Sequence, residues 1–367
     1  MDLKETKRSH DTVLHVDVKA LRYNLNQYKK LLPNHTKVMV MVKANGYGSG
    51  LEEIARFLQR EKVDLLGVAY VDAAIHLRQY GISIPIMVMN PHIDSYSLFE
   101  EYQLRAAIFS IHHLKRLISD TKITPYIHIK IDSGMHRLGF DPNEIPALLE
   151  ILRDNPTVKV EGIFTHFSSS DMESEDNYTH SQAEIFSNAY DSISKAIGFQ
   201  PTKHALNSSG IVRFPEYHFD MIRLGIGLHG FDPTGNLHLR LASQLETFIS
   251  QVRNLKEGDT VGYSRKGKLN RDSRIAIIPI GYEDGYLRLF GNGKATVKIN
   301  GTNCPTVGNI CMDMTMVDVT DIECEEGDKV IVFGRDPRVE QLAKWANTIP
   351  YEILTNISTR VRREFVS

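Results

Sequence analysis

Short apolar runs alternate with amphipathic stretches from Val38 to about Gly230, and this alternation is the main organising signal in the chain. Such runs, bounded by turn residues, read as buried strands, and the 3.6-residue periodicity between them reads as helices covering a parallel sheet. The runs are Val38 to Ala44, Leu65 to Tyr70, Pro85 to Met89, Arg105 to Ser110, Tyr126 to Ile131, Val160 to His166, His204 to Asn207 and Met221 to Gly227. Eight strands so evenly spaced predict a (β/α)8, TIM-like barrel in preference to an open doubly wound sheet. A helix over Asp17 to Leu32, with Asp17 as N-cap, is expected before the first strand.

Beyond about Leu237 the pattern changes to short alternating strands broken by turns such as Lys256-Glu257-Gly258-Asp259, Asn292-Gly293, Asn300-Gly301 and Glu326-Gly327-Asp328. A second, mostly β domain is predicted, interrupted by a helix over Arg338 to Ala346 and closing on Arg360 to Phe365. The expected domains are therefore 12–237 for the barrel and 238–367 for the β domain, with the N-terminal strand 1–16 a candidate to pack on the latter. No period of roughly 20 to 50 residues repeats, and no low-complexity segment interrupts the pattern.

A length of 367 residues suits two domains. With 43 Lys+Arg against 45 Asp+Glu, the net charge of -2 supplies no basic field for nucleic acid or an anionic membrane, so the expected partner is a small molecule. The polar start MDLKETKRSHDTV lacks a signal-peptide core, and no segment approaches the roughly 18 apolar residues that span a bilayer. A cytoplasmic protein is expected. Cys304, Cys311 and Cys324 are odd in number and show no CxxC spacing, which disfavours both a disulfide framework and a zinc site. There is no HExxH, and adjacent His112 and His113 cannot both face one ion, so no metal is expected.

The chemistry concentrates where the strands end. Lys43 closes the run Val38-Met39-Val40-Met41-Val42 and is followed by Ala44-Asn45-Gly46-Tyr47-Gly48-Ser49-Gly50. A partly desolvated amine there suits imine formation with an aldehyde cofactor, although a surface lysine at a strand end has the same local sequence. Barrels often bind phosphate in the loops after strands seven and eight. Asn207-Ser208-Ser209-Gly210 and Arg223-Leu224-Gly225-Ile226-Gly227 occupy those places, with small residues and glycines that permit close backbone approach. Lys130 and Arg137 flank the end of strand five, where a planar guanidinium could clamp a carboxylate. His166 ends strand six and by itself equally fits a hydrogen-bonded core histidine.

The segments VMVKANGYGSG, KIDSGMHRLGF, HALNSSGIVRFPE, MIRLGIGLHG, VGYS, IGYEDGYLR and VGNICMDMTMVDVT resemble successive motifs of the alanine racemases, in that family's order across almost the whole chain. The resemblance implies a pyridoxal 5'-phosphate enzyme that interconverts L- and D-alanine, supplying D-alanine for peptidoglycan. It implies that Lys43 binds the cofactor and is the base on the D face of the substrate α-carbon. Tyr263, from the partner subunit of a homodimer, is implied as the base on the L face. Arg223 is similar to the arginine that faces the pyridine nitrogen, and His166 to the residue linking it to Tyr263. Arg137 is implied to orient Tyr263 and the substrate carboxylate, and Lys130 to be a lysine carbamylated to hold that arginine. Tyr47, Ser208, Gly225 and Ile226 are implied phosphate ligands, with Asn207 close by. Met312 and Asp313, again from the partner, resemble residues that line the substrate pocket.

Three positions depart from the family pattern: Thr359 stands where a tyrosine is frequent, Arg362 where a proline is common, and Asn309 where an arginine is frequent. A racemase of serine or another amino acid therefore stays open from sequence, as does a non-catalytic pyridoxal-phosphate carrier. The carrier is disfavoured by the β domain and by Tyr263. Basic amino-acid decarboxylases share the two-domain plan, but their cysteine-bearing catalytic segment and glycine-rich phosphate loop are missing here.

Overall fold

The computed structural model describes residues 12–122 and 125–367, so residues 1–11 of the expected N-terminal segment lie outside the described residues. In chain order, strand β1 (Val13–Asp17) and helix α1 (Val18–Lys29) come first. Asp17 Oδ1 accepts the Ala20 N–H at 2.9 Å, the expected cap. There follow β2 (Lys37–Met41), β3 (Leu65–Val68), β4 (Ile86–Val88), β5 (Arg105–Ile108), β6 (Tyr126–Lys130), β7 (Lys159–Phe164), β8 (Thr202–His204) and β9 (Met221–Leu224).

These last eight strands form one sheet in the order β8-β7-β6-β5-β4-β3-β2-β9, all neighbours parallel. Spatial order follows sequence order, as successive βα crossovers of one hand require. Across the remaining seam the Asp220 N–H donates to the Lys203 carbonyl at 3.1 Å and the Arg223 N–H to the Leu206 carbonyl at 3.0 Å, so the sheet curls into a barrel. Each strand stops short of the apolar run that predicted it: β2 ends at Met41 and β9 at Leu224. The residues left over, Lys43, His166 and Gly225 among them, leave the ladder to build loops at the strands' C-terminal ends.

The chain divides into two compact units. One comprises Leu21–Gly46 and Leu51–Arg240; the other comprises residues 12–20, Tyr47–Gly50 and Leu241–Ser367. In the second unit β1 pairs antiparallel with Ser243–Phe248 and parallel with Arg362–Val366, so both chain ends enter one six-stranded sheet. A three-stranded sheet of Gln251–Leu255, Ser273–Ile278 and Thr315–Asp318 accompanies it, over a small core of Val261, Leu269, Ile275 and Met316. The expected helix is present at Val339–Ala346. A further helix, Pro350–Thr355, was not anticipated because six residues hold less than two turns of periodicity; its one sequence signal is Pro350 at the first turn.

The turn after β2 is unusual. Ala44, Asn45, Gly46, Tyr47 and Gly48 all have positive φ, between 51° and 81°, so the backbone makes a left-handed turn that costs roughly 1–2 kcal/mol for each non-glycine residue. The Gly46 N–H donates to the Val42 carbonyl at 3.0 Å, and Asn45 Oδ1 accepts the Leu51 N–H at 3.0 Å. Gly48 is needed for more than its φ: a Cβ there would sit 2.0 Å from the Leu354 carbonyl oxygen, and its own carbonyl accepts from Arg363 Nε at 3.0 Å. Gly48→Ala is therefore expected to destabilise the protein by about 2 kcal/mol or more, measured as a lowered thermal midpoint. An unchanged midpoint would show that this turn does not carry the strain.

Candidate active site

One end of the barrel gathers most of the expected site. Lys43 follows β2, Lys130 ends β6, Arg137 lies in the loop after β6, His166 follows β7, Asn207 and Ser208 follow β8, and Arg223 sits in β9 ahead of Gly225 and Ile226. Alternation along β6 turns His128 and Lys130 to the same face, both buried.

These groups act on one another electrostatically. Burial lowers the Lys43 amine and the Arg137 charge lowers it further. Burial, then Arg137 and Arg223, bring Lys130 down to about 8, with only Asp132 opposing them. His166 is held well below its ordinary range by burial first and then by Arg223, Arg137, Lys130 and Lys43, so it is neutral. The Lys130 ammonium lies 5.9 Å from the Phe164 ring centroid and makes no hydrogen bond among the described residues. A cluster of four cations whose mutual repulsion is this plain suits an anionic ligand.

Arg223 is the buried centre of the cluster, 4% exposed. Its Nη1 donates to His204 Nδ1 at 2.9 Å, and the two N–H groups of its Nη2 are shared among the carbonyls of Thr165 and Ala205 at 2.7 and 2.6 Å and His166 Nδ1 at 3.0 Å. Its guanidinium carbon lies 5.5 Å from the Phe164 ring centroid, and no carboxylate pairs with it among the described residues. A guanidinium only donates, so both histidines present a lone pair at Nδ1 and carry their proton on Nε2. His204 was missed as a site residue from sequence, where it read only as the start of a strand. The signal that could have found it is its inward register beside Arg223, which needs the closed barrel to be visible.

Ser208 and Asn207 prepare the other edge. Ser208 Oγ accepts the N–H groups of Gly225 and Gly227 at 3.0 and 3.2 Å, which leaves its own hydroxyl proton to give. Gly225 thus spends its N–H inside the protein. A Cβ on Gly227 would lie 2.1 Å from Tyr28 Oη, so this turn can pass the ring only as glycine. Asn207 Oδ1 caps the helix Ser208–Arg213 by accepting the Gly210 N–H at 2.9 Å and also accepts from Ser170 Oγ at 2.9 Å.

The remaining expected residues, Tyr47, Tyr263, Met312 and Asp313, belong to the other compact unit. Tyr263 is displayed on a turn in which Ser264 and Arg265 have positive φ, and it is 67% exposed. Its carbonyl accepts from Asn309 Nδ2 at 3.2 Å, and Asn309 Oδ1 accepts from Asn292 Nδ2 at 3.0 Å, so the departure at 309 supports the tyrosine turn. Asp313 is held by Arg360 Nη2 at 2.8 Å, while Arg360 Nε donates at 2.6 Å to fully buried Asp284. Met312 lies beside Gly281, where a Cβ would come within 2.2 Å of the Met312 carbonyl oxygen. Tyr47 is buried 6.2 Å from the Tyr351 ring, and burial pushes its phenol up. Thr359 is exposed.

Comparison with known proteins gives the family. The alanine racemase N-terminal domain family matches residues 16–233, and the alanine racemase C-terminal domain family matches residues 242–365. The alanine racemase of Halothermothrix orenii is 34% identical over 363 residues, 95% of each chain. That of Thermodesulfovibrio yellowstonii is 35% identical over 365 residues, 96% of each chain. Among solved structures, the alanine racemase of Clostridium difficile superposes with a TM-score of 0.92 at 34% identity, covering 98% of this chain and 97% of that one. The alanine racemase of Bacillus anthracis, solved with bound L-Ala-P, superposes with a TM-score of 0.92 at 30% identity, covering 98% and 95%. The motifs at the strand ends, the two-unit architecture and these matches over nearly the full length have one common explanation: the chain belongs to the alanine racemase family.

Proposed function

We propose that this chain is a pyridoxal-phosphate-dependent racemase that interconverts L-alanine and D-alanine at the C-terminal end of its barrel. The observation that carries the reading is the cationic cluster around Lys43, centred on an Arg223 that is partnered by neutral histidines and, among the described residues, no carboxylate. The donor set fits the cofactor. The free Ser208 proton and the cations suit a phosphate dianion, with Tyr47, Gly225 and Ile226 completing its surroundings and Asn207 close by. The lowered Lys43 amine suits attachment to an aldehyde. Arg223 suits a pyridine nitrogen that stays unprotonated, because an arginine keeps its proton.

When bound, pyridoxal phosphate supplies a ring that accepts negative charge developing at the substrate α-carbon. Racemisation then needs two proton carriers on opposite faces. Lys43 serves the D face and Tyr263 the L face. His166 joins Arg223 to the Tyr263 side by hydrogen bonding, and Arg137 orients Tyr263 and the substrate carboxylate. Met312 and Asp313 limit side-chain size. The active form is a homodimer in which Tyr263, Met312 and Asp313 come from the partner subunit. Exposed Tyr263, Tyr282, Met312 and Met314 on neighbouring loops, joined by the Tyr282 N–H to Cys311 and Glu283 N–H to Met312 carbonyl bonds, support such a docking face. The barrel domain is taken as 12–237 and the β domain as 238–367 with β1, in line with the family matches and the β1 pairing. No helix among the described residues is long and apolar enough to cross a membrane, and we place the enzyme in the cytoplasm, supplying D-alanine to peptidoglycan precursors.

Absorbance of the purified protein followed by assays with L- and D-alanine, serine and lysine tests the reading; racemisation of serine or lysine in preference to alanine would overturn it. Borohydride-trapped cofactor should map to Lys43. Tyr263→Phe should keep the cofactor and lose racemisation in both directions by about two to four orders of magnitude. Mixing Tyr263→Phe with Lys43→Ala under subunit exchange should restore up to about half of parental activity per heterodimer, since one of its sites regains both bases. Heterodimers confirmed by mass spectrometry yet inactive would place both bases in one subunit.

Lys130, at about 8, turns neutral and reactive toward carbon dioxide as pH rises through that value, whereas an ordinary lysine stays protonated. With 13C-labelled bicarbonate a carbamate signal should grow as pH rises and should vanish in Lys130→Arg. Its negative charge would lie near the Arg137 guanidinium, whose charge lowers the Lys130 amine. A signal that is absent in the parent, or that persists in Lys130→Arg, rules out this modification at Lys130.

A further inference from the structure

The opposite, N-terminal end of the barrel carries a second polar cluster, connected to Arg223 through the interior. A cavity of about 150 Å³ opens there among strand starts, lined by Lys37, Asp64, Arg105, His128 and Glu161 with apolar neighbours. Glu161 reaches it because of a register shift. Ile127 pairs with Val160 but His128 pairs with Gly162, so Glu161 is the extra residue of a bulge in β7. Bulges of this kind re-aim a side chain. Gly162 leaves room for the His128 ring, since a Cβ there would lie 2.3 Å from His128 Nδ1. The His204 ring is stacked on Phe164 at 4.9 Å and 4°, and meets His128 edge-on at 5.1 Å.

The hydrogen bonds run in one direction. Arg223 donates to His204 Nδ1, so His204 carries its proton on Nε2 and donates to His128 Nδ1 at 2.9 Å. His128 then carries its proton on Nε2 and donates to Glu161 Oε2 at 3.2 Å. Arg105 also holds Glu161, its Nε donating at 2.9 Å to the Oε2 that His128 meets and its Nη2 at 3.3 Å to Oε1. Both ends of this chain are thus fixed in role: a guanidinium that can only donate and a carboxylate that can only accept. Burial by itself would raise the Glu161 carboxyl, but the hydrogen bonds from His128 and Arg105 and the Arg105 charge bring it down to about 2. It remains an acceptor at any working pH. Burial keeps His128 and His204 below their ordinary range and therefore neutral.

We propose that Glu161 is a positioning residue for Arg223, acting across the barrel by fixing His128 and His204 in the Nε2–H form so that a lone pair meets the guanidinium. The inference rests on the reading that Arg223 faces the cofactor ring. In the opposite tautomers an imidazole N–H would point at an arginine N–H inside the protein, leaving a buried donor unmet.

Glu161→Leu tests it. The His128 Nε2–H then has no acceptor, the two tautomers are no longer held from this end, and Nδ1–H forms that turn a donor toward Arg223 become populated. In the holoenzyme, nitrogen-15 spectra of labelled histidines, assigned by substitution, should show Nε2–H at both positions in the parent and a substantial share of Nδ1–H in the variant. The variant's kcat should fall about tenfold with little change in KM. Glu161→Gln can place its amide oxygen at the Oε2 position, where both Arg105 Nε and His128 Nε2 donate, so it should keep the parental tautomers and most of the kcat. A merely structural carboxylate would give neither the tautomer change in Glu161→Leu nor its rescue by glutamine. Parental spectra and kcat in Glu161→Leu overturn the proposal. Should that variant not fold, the parent decides: Nε2–H on both histidines supports the proposal, and Nδ1–H on either overturns it. A parent without pyridoxal absorbance would instead overturn the reading of the site itself, while the tautomers remain measurable.

Discussion

The burial of Arg223 is the constraint on which the barrel's site depends. A guanidinium removed from water is costly unless its donors are met, and the usual answer is a carboxylate. Here the answer is two imidazole lone pairs and two backbone carbonyls, with the Phe164 ring alongside. The positive charge therefore stays uncancelled at the strand ends. Burial first, and then that charge, keep His166 and His204 neutral and help to lower Lys130, while Lys43 is lowered by burial and by Arg137; an anionic cofactor suits such a place.

Holding such a centre requires rigid surroundings, and the backbone supplies them at three points. The left-handed turn Ala44–Gly48 aims the residues after β2 away from the ladder. The β7 bulge turns Glu161 inward. The glycines at 225 and 227 let backbone N–H groups converge on Ser208 Oγ while passing over Tyr28. Strain and irregularity of this kind persist only where packing over-determines them, and here they adjoin the residues with chemistry to perform.

The second unit shows the complementary design. Its functional candidates are presented outward on turns braced from beneath: Tyr263 by Asn309 and Asn292, and Asp313 by Arg360 on buried Asp284. Tyr263, Met312 and Met314 are all exposed on this unit, as the proposed homodimer would require.

Much of this was legible in the chain itself. Eight apolar runs specified the barrel strands because strands buried on both faces must be continuously apolar, and Asp17 marked the start of α1 through its capping oxygen. Lys43, Arg137, Arg223 and Tyr263 were singled out because their flanking motifs are local in sequence. Strand ends were read one to three residues too long, since the apolar run continues into loops that only the closed barrel buries. The left-handed turn was invisible because Ala44 and Tyr47 give no sign of positive φ. His204, His128, Glu161 and Arg105 were missed for a different reason. They lie on four neighbouring strands, β5 to β8, and their meeting depends on register and on a bulge. Sequence alone determined which residues could carry the chemistry, through short-range pattern; tertiary structure decided which polar groups share the interior, because a hydrogen-bonded path across a barrel exists only once its strands are side by side.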